Sequence, residues 1–438
     1  MARPAPPLTV LIVGAGAFGS TTALALAEGP YKGRADLITV LDRAADPPAL
    51  DAACSDYNKI VRADYSDEIY QAFGKQAIEE WRTPRWNRHF HECGVVVCAP
   101  AAHDQADYVR ASHQLNAEGK QPTVGPLREE AGIREFYPPG TPLSDFKGDI
   151  GYKNSVGGWC ASRDATVEAV MLARNLGVRF LAAEADALLH NDDGTDVVGV
   201  KAVDGRSYTA DVVVLACGSW TPRLLPELAT NCLPTGQVVA TVQLDAEETK
   251  RYQDVPVSLF MDSGFYTFPP NKDGILKMAI HGRGWLAPSG GLPSFPRTTL
   301  SSGFEKQQIP ASALELLKAG MRRVMPDIAE EEIKETRLCW YSDRESGDFL
   351  FDWHPKYRSL FVAAGDSGHA MKFLPLIGSW IVGSLTRTLS PELLRLWAYE
   401  IDDARIDKSR PEAPRKKLDS EEQAQLSRGE KELIRAKL

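Results

Sequence analysis

The sequence predicts an α/β nucleotide-binding domain of the Rossmann type combined with an α+β domain built on a mainly antiparallel sheet. Three observations carry this. An apolar run at 8–13 ends in the glycine turn Gly14-Ala15-Gly16-Ala17-Phe18-Gly19; a second apolar run, at 37–41, ends in Asp42; and from about 222 to 339 short alternating segments separated by turn residues replace the helical pattern. A chain of 438 residues is long enough for two sizeable cores. With 43% hydrophobic and 25% charged residues it has the balance of a folded globular protein, neither disordered nor fibrous.

In chain order the first unit reads strand, glycine turn, helix at 20–27, strand, acid. Gly14 permits the tight turn, Gly16 lets backbone N–H groups approach a pyrophosphate, and Gly19 lets the helix pack closely on the strand. Asp42 follows Gly19 at about the spacing that brings a carboxylate to a ribose. A lone glycine turn of this kind also occurs in unrelated folds; the complete order of parts predicts a bound dinucleotide.

Residues 81–91 are aromatic and polar, 94–98 reads as a strand opening a new unit, and 102–137 as largely helical. An amphipathic helix at 164–176 leads into a strand at 177–181, and 210–218 is a strand ending in a small-residue turn, which returns the chain to an α/β sheet. Segments 237–243, 255–260, 266–269 and 275–281 predict antiparallel strands. The strand at 359–364 closes on Gly365-Asp366-Ser367-Gly368 before a helix at 376–386. The nucleotide domain is thus expected in pieces, at 1–90, 150–222 and 340–395, with 91–149 and 223–339 forming the second domain and 396–438 a charged tail. Residues 286–304, rich in Pro, Gly and Ser, are expected to form a mobile cover over the site.

A formal charge of −9 excludes the dominant basic surface of a nucleic-acid-binding protein. Seven cysteines, an odd number without Cys-x-x-Cys pairs, argue against a disulfide framework or a zinc site and for reduced thiols in an intracellular compartment. The N-terminal apolar run is too short for a signal core or a membrane span. The chain ends Ala436-Lys437-Leu438, close to the Ser-Lys-Leu signal read by the peroxisomal import receptor. A peroxisomal location is therefore expected, with the charged stretch at 408–435 leaving the tripeptide exposed.

Three segments together are more specific than the glycine turn: Arg337-Leu338-Cys339-Trp340-Tyr341, Asp352-Trp353-His354-Pro355, and the run from Ala363 through Gly365-Asp366-Ser367-Gly368-His369 to Met371-Lys372-Phe373. They resemble the monomeric sarcosine oxidase family, which includes the fructosyl amino acid oxidases (amadoriases) and the pipecolate and saccharopine oxidases. The resemblance covers roughly 8–395 and implies a monomer with a glutathione-reductase-like FAD domain and a substrate domain resting on an antiparallel sheet. It implies FAD contacts at Gly14, Gly16, Gly19, Asp42, Lys59, Val178, Gly365 and Gly368, and a covalent bond from Cys339 to the flavin 8α carbon, where a free cysteine is otherwise usually a core thiol. Lys277 resembles the lysine beside the flavin where O2 is activated, a role suited to a fixed cation in a water-poor site; strand lysines more often serve as solvated edge charges. Arg62 and Lys372 match the pair that clamps the substrate carboxylate, and His281 and Tyr341 complete the catalytic set.

His281 is histidine in sarcosine-type oxidases and glutamate in amadoriases, which carry a second cysteine in place of Tyr341; this chain follows the sarcosine type at both. Trp340, Asn58-Lys59 and Asp366-Ser367 are closer to the amadoriases. The implied reaction begins with a secondary amino acid whose neutral amine assists hydride transfer to the flavin. The resulting imine hydrolyses, and O2 reoxidises the flavin to yield hydrogen peroxide. A fructosyl amino acid oxidase is the alternative within the family. A flavin-binding or nicotinamide-dependent protein without oxidase activity is the alternative outside it.

Overall fold

Val10–Val13 is the pivot of a six-stranded sheet in the computed structural model, which describes residues 8–118, 123–400, 405–411, 413–420 and 422–424. The sheet order is Leu350–Trp353, Leu360–Ala364, Val212–Leu215, Val10–Val13, Ile38–Asp42, Arg179–Ala182, parallel throughout except for the first pair. The central strands are apolar runs buried on both faces, as a covered parallel sheet requires. Their alternation sends Val10, Ile12 and Val214 to one core, packed under helices Ala17–Glu28 and Leu374–Leu385, and Leu11, Val13, Val213 and Leu215 to another. Over that second core lies a three-stranded antiparallel sheet of Ala185–His190, Val197–Ala202 and Ser207–Thr209, which the sequence pattern did not disclose.

The second large sheet has ten strands and is mainly antiparallel, as expected. Its centre is Leu233–Gln243, flanked by Ile275–Ile280 and by the long strand Ile333–Asp343. Val257–Phe260 pairs in parallel with Val95–Pro100, which brings the segment before residue 149 into the same sheet. A small sheet of Lys59–Val61, Gly158–Cys160 and Phe90–His91 lies beside these two.

The structure departs from the sequence expectations in four places. Among the described residues of the 102–137 stretch only Gln105–Ala117 is α-helical; beyond it come the short strand Arg128–Glu129 and the 3-10 segment Glu130–Phe136, with Pro138 and Pro139 preventing continuation. Residues 340–343 and 150–154, assigned above to the nucleotide domain, are parts of strands Ile333–Asp343 and Asp149–Asn154 of the antiparallel sheet. Segment 286–304 is pinned: Ala287 N donates to Ser294 Oγ at 3.0 Å, Trp340 Nε1 to Arg297 O at 2.8 Å, and Thr298 Oγ1 to Asp51 Oδ2 at 2.7 Å. The described part of the charged tail is a strap: Lys416–Lys417 pairs with Trp285–Leu286, Leu418 and Ala424 are buried, and Arg405 bridges to Asp67 and Asp348. The Ala436-Lys437-Leu438 tripeptide lies outside the described residues.

Helices Ala17–Glu28 and Leu374–Leu385 approach so closely that a Cβ on Gly378 would fall 2.2 Å from the Thr21 carbonyl oxygen. Gly378→Ala is therefore expected to cost about 1–3 kcal/mol through overpacking, read as a lowered denaturant midpoint; wild-type stability would show that the helices can separate freely.

Candidate active site

A cavity of about 190 Å³ opens at the carboxyl ends of the parallel strands, where sheet order reverses at Val10–Val13. Its wall includes Gly14, Gly16, Asp42, Glu184 and Gly218 toward one end and Lys59, Tyr341, Gly368 and Met371 toward the other. Gly14, at φ +102°, has no room for a side chain, since a Cβ would stand 2.4 Å from Ala216 O. Helix Ala17–Glu28 begins here with no side-chain cap and no acidic residue in its first turn, so its N–H groups and positive dipole end are left for an anion. Asp42 Oδ2 accepts from Ala15 N at 2.7 Å, which fixes the carboxylate beside that turn. Trp220 and Arg43, stacked at 4.4 Å, complete the outer wall. The cradle fits an extended dinucleotide.

Strand register assembles the chemistry. Thr235, Gln237, Val239 and Thr241 pair with Tyr341, Cys339, Arg337 and Glu335 on one side, while Val239 and Thr241 pair with Ala279 and Lys277 on the other. Directly paired residues share a face and the side-chain period is two, so Cys339, Tyr341, Lys277 and His281 all belong to one face. Tyr266, paired with Ala279, joins them. Trp340 and Met278 face the opposite core.

On this face Lys277 is fully buried. Its Nζ donates to Asp56 Oδ2 at 2.8 Å and to Asn58 O at 2.7 Å, and lies 5.0 Å from the Phe268 ring centre. Lys59 Nζ reaches the same Asp56 oxygen at 2.7 Å and Cys339 Sγ at 3.4 Å. Burial pushes Lys277 down to about 8 against the opposing pull of Asp56, with Lys59 adding to the depression. Although burial raises it, Asp56 is held well below the carboxylate range by Lys277, Lys59 and Arg337. Asn58 Oδ1 is buried beside this cluster without a hydrogen-bond partner among the described residues.

A second cluster gathers Arg62 and Lys372, both buried and neither with a carboxylate within ion-pair distance among the described residues. Lys372 Nζ donates to Tyr65 OH at 2.8 Å and to His369 O at 2.9 Å, while Trp81 Nε1 holds the Lys372 carbonyl at 2.6 Å. The His369 Nε2 contact to Gly347 O requires a proton on Nε2, so Nδ1 accepts from Tyr65 OH at 2.8 Å. The Arg62 guanidinium stacks 4.7 Å over Tyr65 and lies 3.5 Å from Tyr108 OH. Burial, aided by Arg62, holds Lys372 well below its ordinary range. Burial and the charges of Arg410, Arg62 and Lys372 keep the His281 imidazole neutral.

Of the residues singled out in the sequence, Gly14, Gly16, Asp42, Lys59, Tyr341 and Gly368 share the cavity wall. Gly19 does mechanical work: a Cβ there would collide with Gly14 O at 1.8 Å. Gly365, at φ +69°, shapes the turn without lining the cavity, and Val178 is a core residue whose place on the wall is taken by 183–185. Residues 297–300 line an outer cleft together with Asp56, Tyr57 and Arg337. Asp56 and Tyr65 escaped attention, and His369 was given no role, although each lies within a few residues of a chosen one. Arg410 carried no local signal; it is buried against Asp343, donates to Ser367 O and lies 5.8 Å from the Tyr341 ring centre.

The chain matches the model of FAD dependent oxidoreductases over residues 9–383. It is 31% identical to an L-saccharopine oxidase of Schizosaccharomyces pombe, covering 90% of this chain and 94% of that protein. To a monomeric sarcosine oxidase of Bacillus sp. it is 27% identical, over 84% and 90%. Among solved structures, fructosyl peptide oxidase from E. terrenum superposes with a TM-score of 0.85 at 27% identity, covering 97% of this chain and 99% of that one. Amadoriase II from Aspergillus fumigatus gives 0.84 at 26%, over 96% and 98%. The chain belongs to the family of FAD-dependent oxidoreductases.

Proposed function

We propose that this protein is an oxidase of a secondary amino acid, N-alkyl or cyclic, of the sarcosine, pipecolate or saccharopine kind. The observation that carries this reading is the buried Arg62–Lys372 pair. Keeping a lysine charged beside a buried arginine is costly when no carboxylate of the described residues lies within ion-pair distance, and a substrate carboxylate supplies the anion that would hold both groups protonated. The same charges, with Arg410, favour an unprotonated substrate amine, the form whose lone pair assists loss of hydride. Neutral His281 adds no further charge there.

Bound FAD supplies a two-electron acceptor that O2 regenerates with release of hydrogen peroxide. The uncapped helix end and Gly14–Gly16 would hold its pyrophosphate, Asp42 a ribose, and Cys339 would anchor the flavin through a thioether. Lys277 would present a fixed cation to the charge that develops on dioxygen. The parallel sheet with its three-stranded antiparallel insert supports a glutathione-reductase-like reading of this domain. A fructosyl amino acid oxidase is the second reading, supported by whole-chain likeness to the fructosyl oxidase structures and opposed by the histidine at 281.

Three outcomes are expected. Anaerobic mixing with sarcosine, L-pipecolate, L-saccharopine, N-methyl-L-tryptophan and fructosyl amino acids should bleach the flavin band rapidly with a secondary amino acid; bleaching by fructosyl compounds alone would move the assignment to the second reading. Acid precipitation should leave flavin attached to wild-type protein and release it from Cys339→Ser, whereas full release from wild type would exclude the thioether. The protonated form of Lys277 is the useful one, so flavin reoxidation should be fastest below pH 8 and decline as pH rises through about 8. In Lys277→Met it should be slow, on the order of a hundredfold, and insensitive to pH in that range.

A further inference from the structure

A single carboxylate oxygen holds two lysines in the interior. Asp56 Oδ2 lies 2.8 Å from Lys277 Nζ and 2.7 Å from Lys59 Nζ, and the Asp56 side chain is 1% exposed. Among the described residues neither lysine has another carboxylate within ion-pair distance. The acid is itself immobilised: Oδ1 accepts from Tyr57 N at 2.8 Å, its carbonyl accepts from Arg163 N at 3.2 Å, and the Arg337 guanidinium grips the neighbouring Ser55 carbonyl. Sequence resemblance singled out Lys277 and Lys59 but gave no role to this residue.

We propose that Asp56 is a positioning residue for the oxidative half of the reaction, aiming the Lys277 ammonium at dioxygen and keeping it charged. The inference rests on the reading of Lys277 as the oxygen-site cation. Its physical basis is that an ammonium buried without an anion loses its proton or moves toward solvent, and that two ammonium groups drawn together repel unless an anion lies between them. The groups facing Lys277 are the Asp56 carboxylate, the Asn58 carbonyl, the Lys59 ammonium, the Cys339 and Cys160 thiols and the Phe268 ring. Of these, Asp56 alone brings a full negative charge into contact, and it pulls the proton affinity of Lys277 upward.

The test uses flavin-loaded wild type, Asp56→Asn, Asp56→Glu and Lys277→Met, with reduction by substrate and reoxidation by O2 followed separately in a stopped-flow instrument. Asp56→Asn is expected to slow reoxidation at least about tenfold while reduction changes less than about threefold. A second readout needs no turnover: the visible spectrum of the oxidised holoenzyme is titrated between pH 6 and 10. A transition present in wild type and absent in Lys277→Met belongs to Lys277, and it should move down by at least about one pH unit in Asp56→Asn. Asp56→Glu retains the charge one methylene out of place, so its transition should stay near the wild-type position while reoxidation slows. Wild-type reoxidation in Asp56→Asn, or in Asp56→Glu should the amide variant not load flavin, overturns the proposal while leaving Lys277 in its role if Lys277→Met is slow. Wild-type reoxidation in Lys277→Met overturns the reading of Lys277 and this inference with it.

Discussion

The register of Ile333–Asp343 against Leu233–Gln243 is the constraint on which the site depends. Ten residues of each strand are paired, with the one irregularity at Thr241/Val242, beyond the functional positions. A slip by one residue would turn Cys339 and Tyr341 away from Lys277 and into the apolar core, and bring the Trp340 side chain to the face that they occupy. The pattern of burial resists this. Leu338 and Trp340 fill one core, with Trp340 Nε1 fixed on Arg297 O, while Cys339 and Tyr341 pack with Tyr266 and Phe268 in the other. Gly368 extends the same logic, because its lack of a Cβ lets the loop after Leu360–Ala364 lie against the Tyr341 ring.

Charge distribution separates the two halves of the site. Around Lys277 an internal carboxylate, Asp56, holds the ammonium by an ion pair, and a cation of that kind can be kept in place whether or not anything is bound. Around Lys372 the hydrogen-bond partners are a hydroxyl and a carbonyl, and no carboxylate of the described residues lies within ion-pair distance. The first arrangement suits a permanent electrostatic device and the second a site completed by its ligand. The Tyr65–His369–Gly347 chain gives the second cluster geometric definition without neutralising it.

The C-terminal strap makes these halves one structure. Arg405 ties it to the nucleotide domain, Arg410 to Asp343 and Ser367, and Lys416–Lys417 adds a strand at the edge of the antiparallel sheet. A buried arginine in a segment of charged composition is stable because two carboxylates, Asp343 and Asp407, and two carbonyls receive it.

By itself the sequence determined the nucleotide-binding unit and the antiparallel second sheet, and through its resemblance it singled out Cys339, Lys277, Arg62 and Lys372. Each is a matter of local pattern: apolar period, a glycine turn whose backbone tolerates no Cβ, a motif of neighbouring residues. Tertiary structure alone decided what the pattern cannot encode. Asp56 and Lys277 are 221 positions apart and Arg410 and Asp343 are 67 apart, and no local propensity reports that one carboxylate will serve two distant lysines. The strap was misread for the same reason, since its buried residues are few and scattered among charges. The anchoring of segment 286–304 was likewise not legible, because Gly and Pro report backbone conformation whereas its hydrogen bonds come from Trp340 and Asp51 elsewhere in the chain.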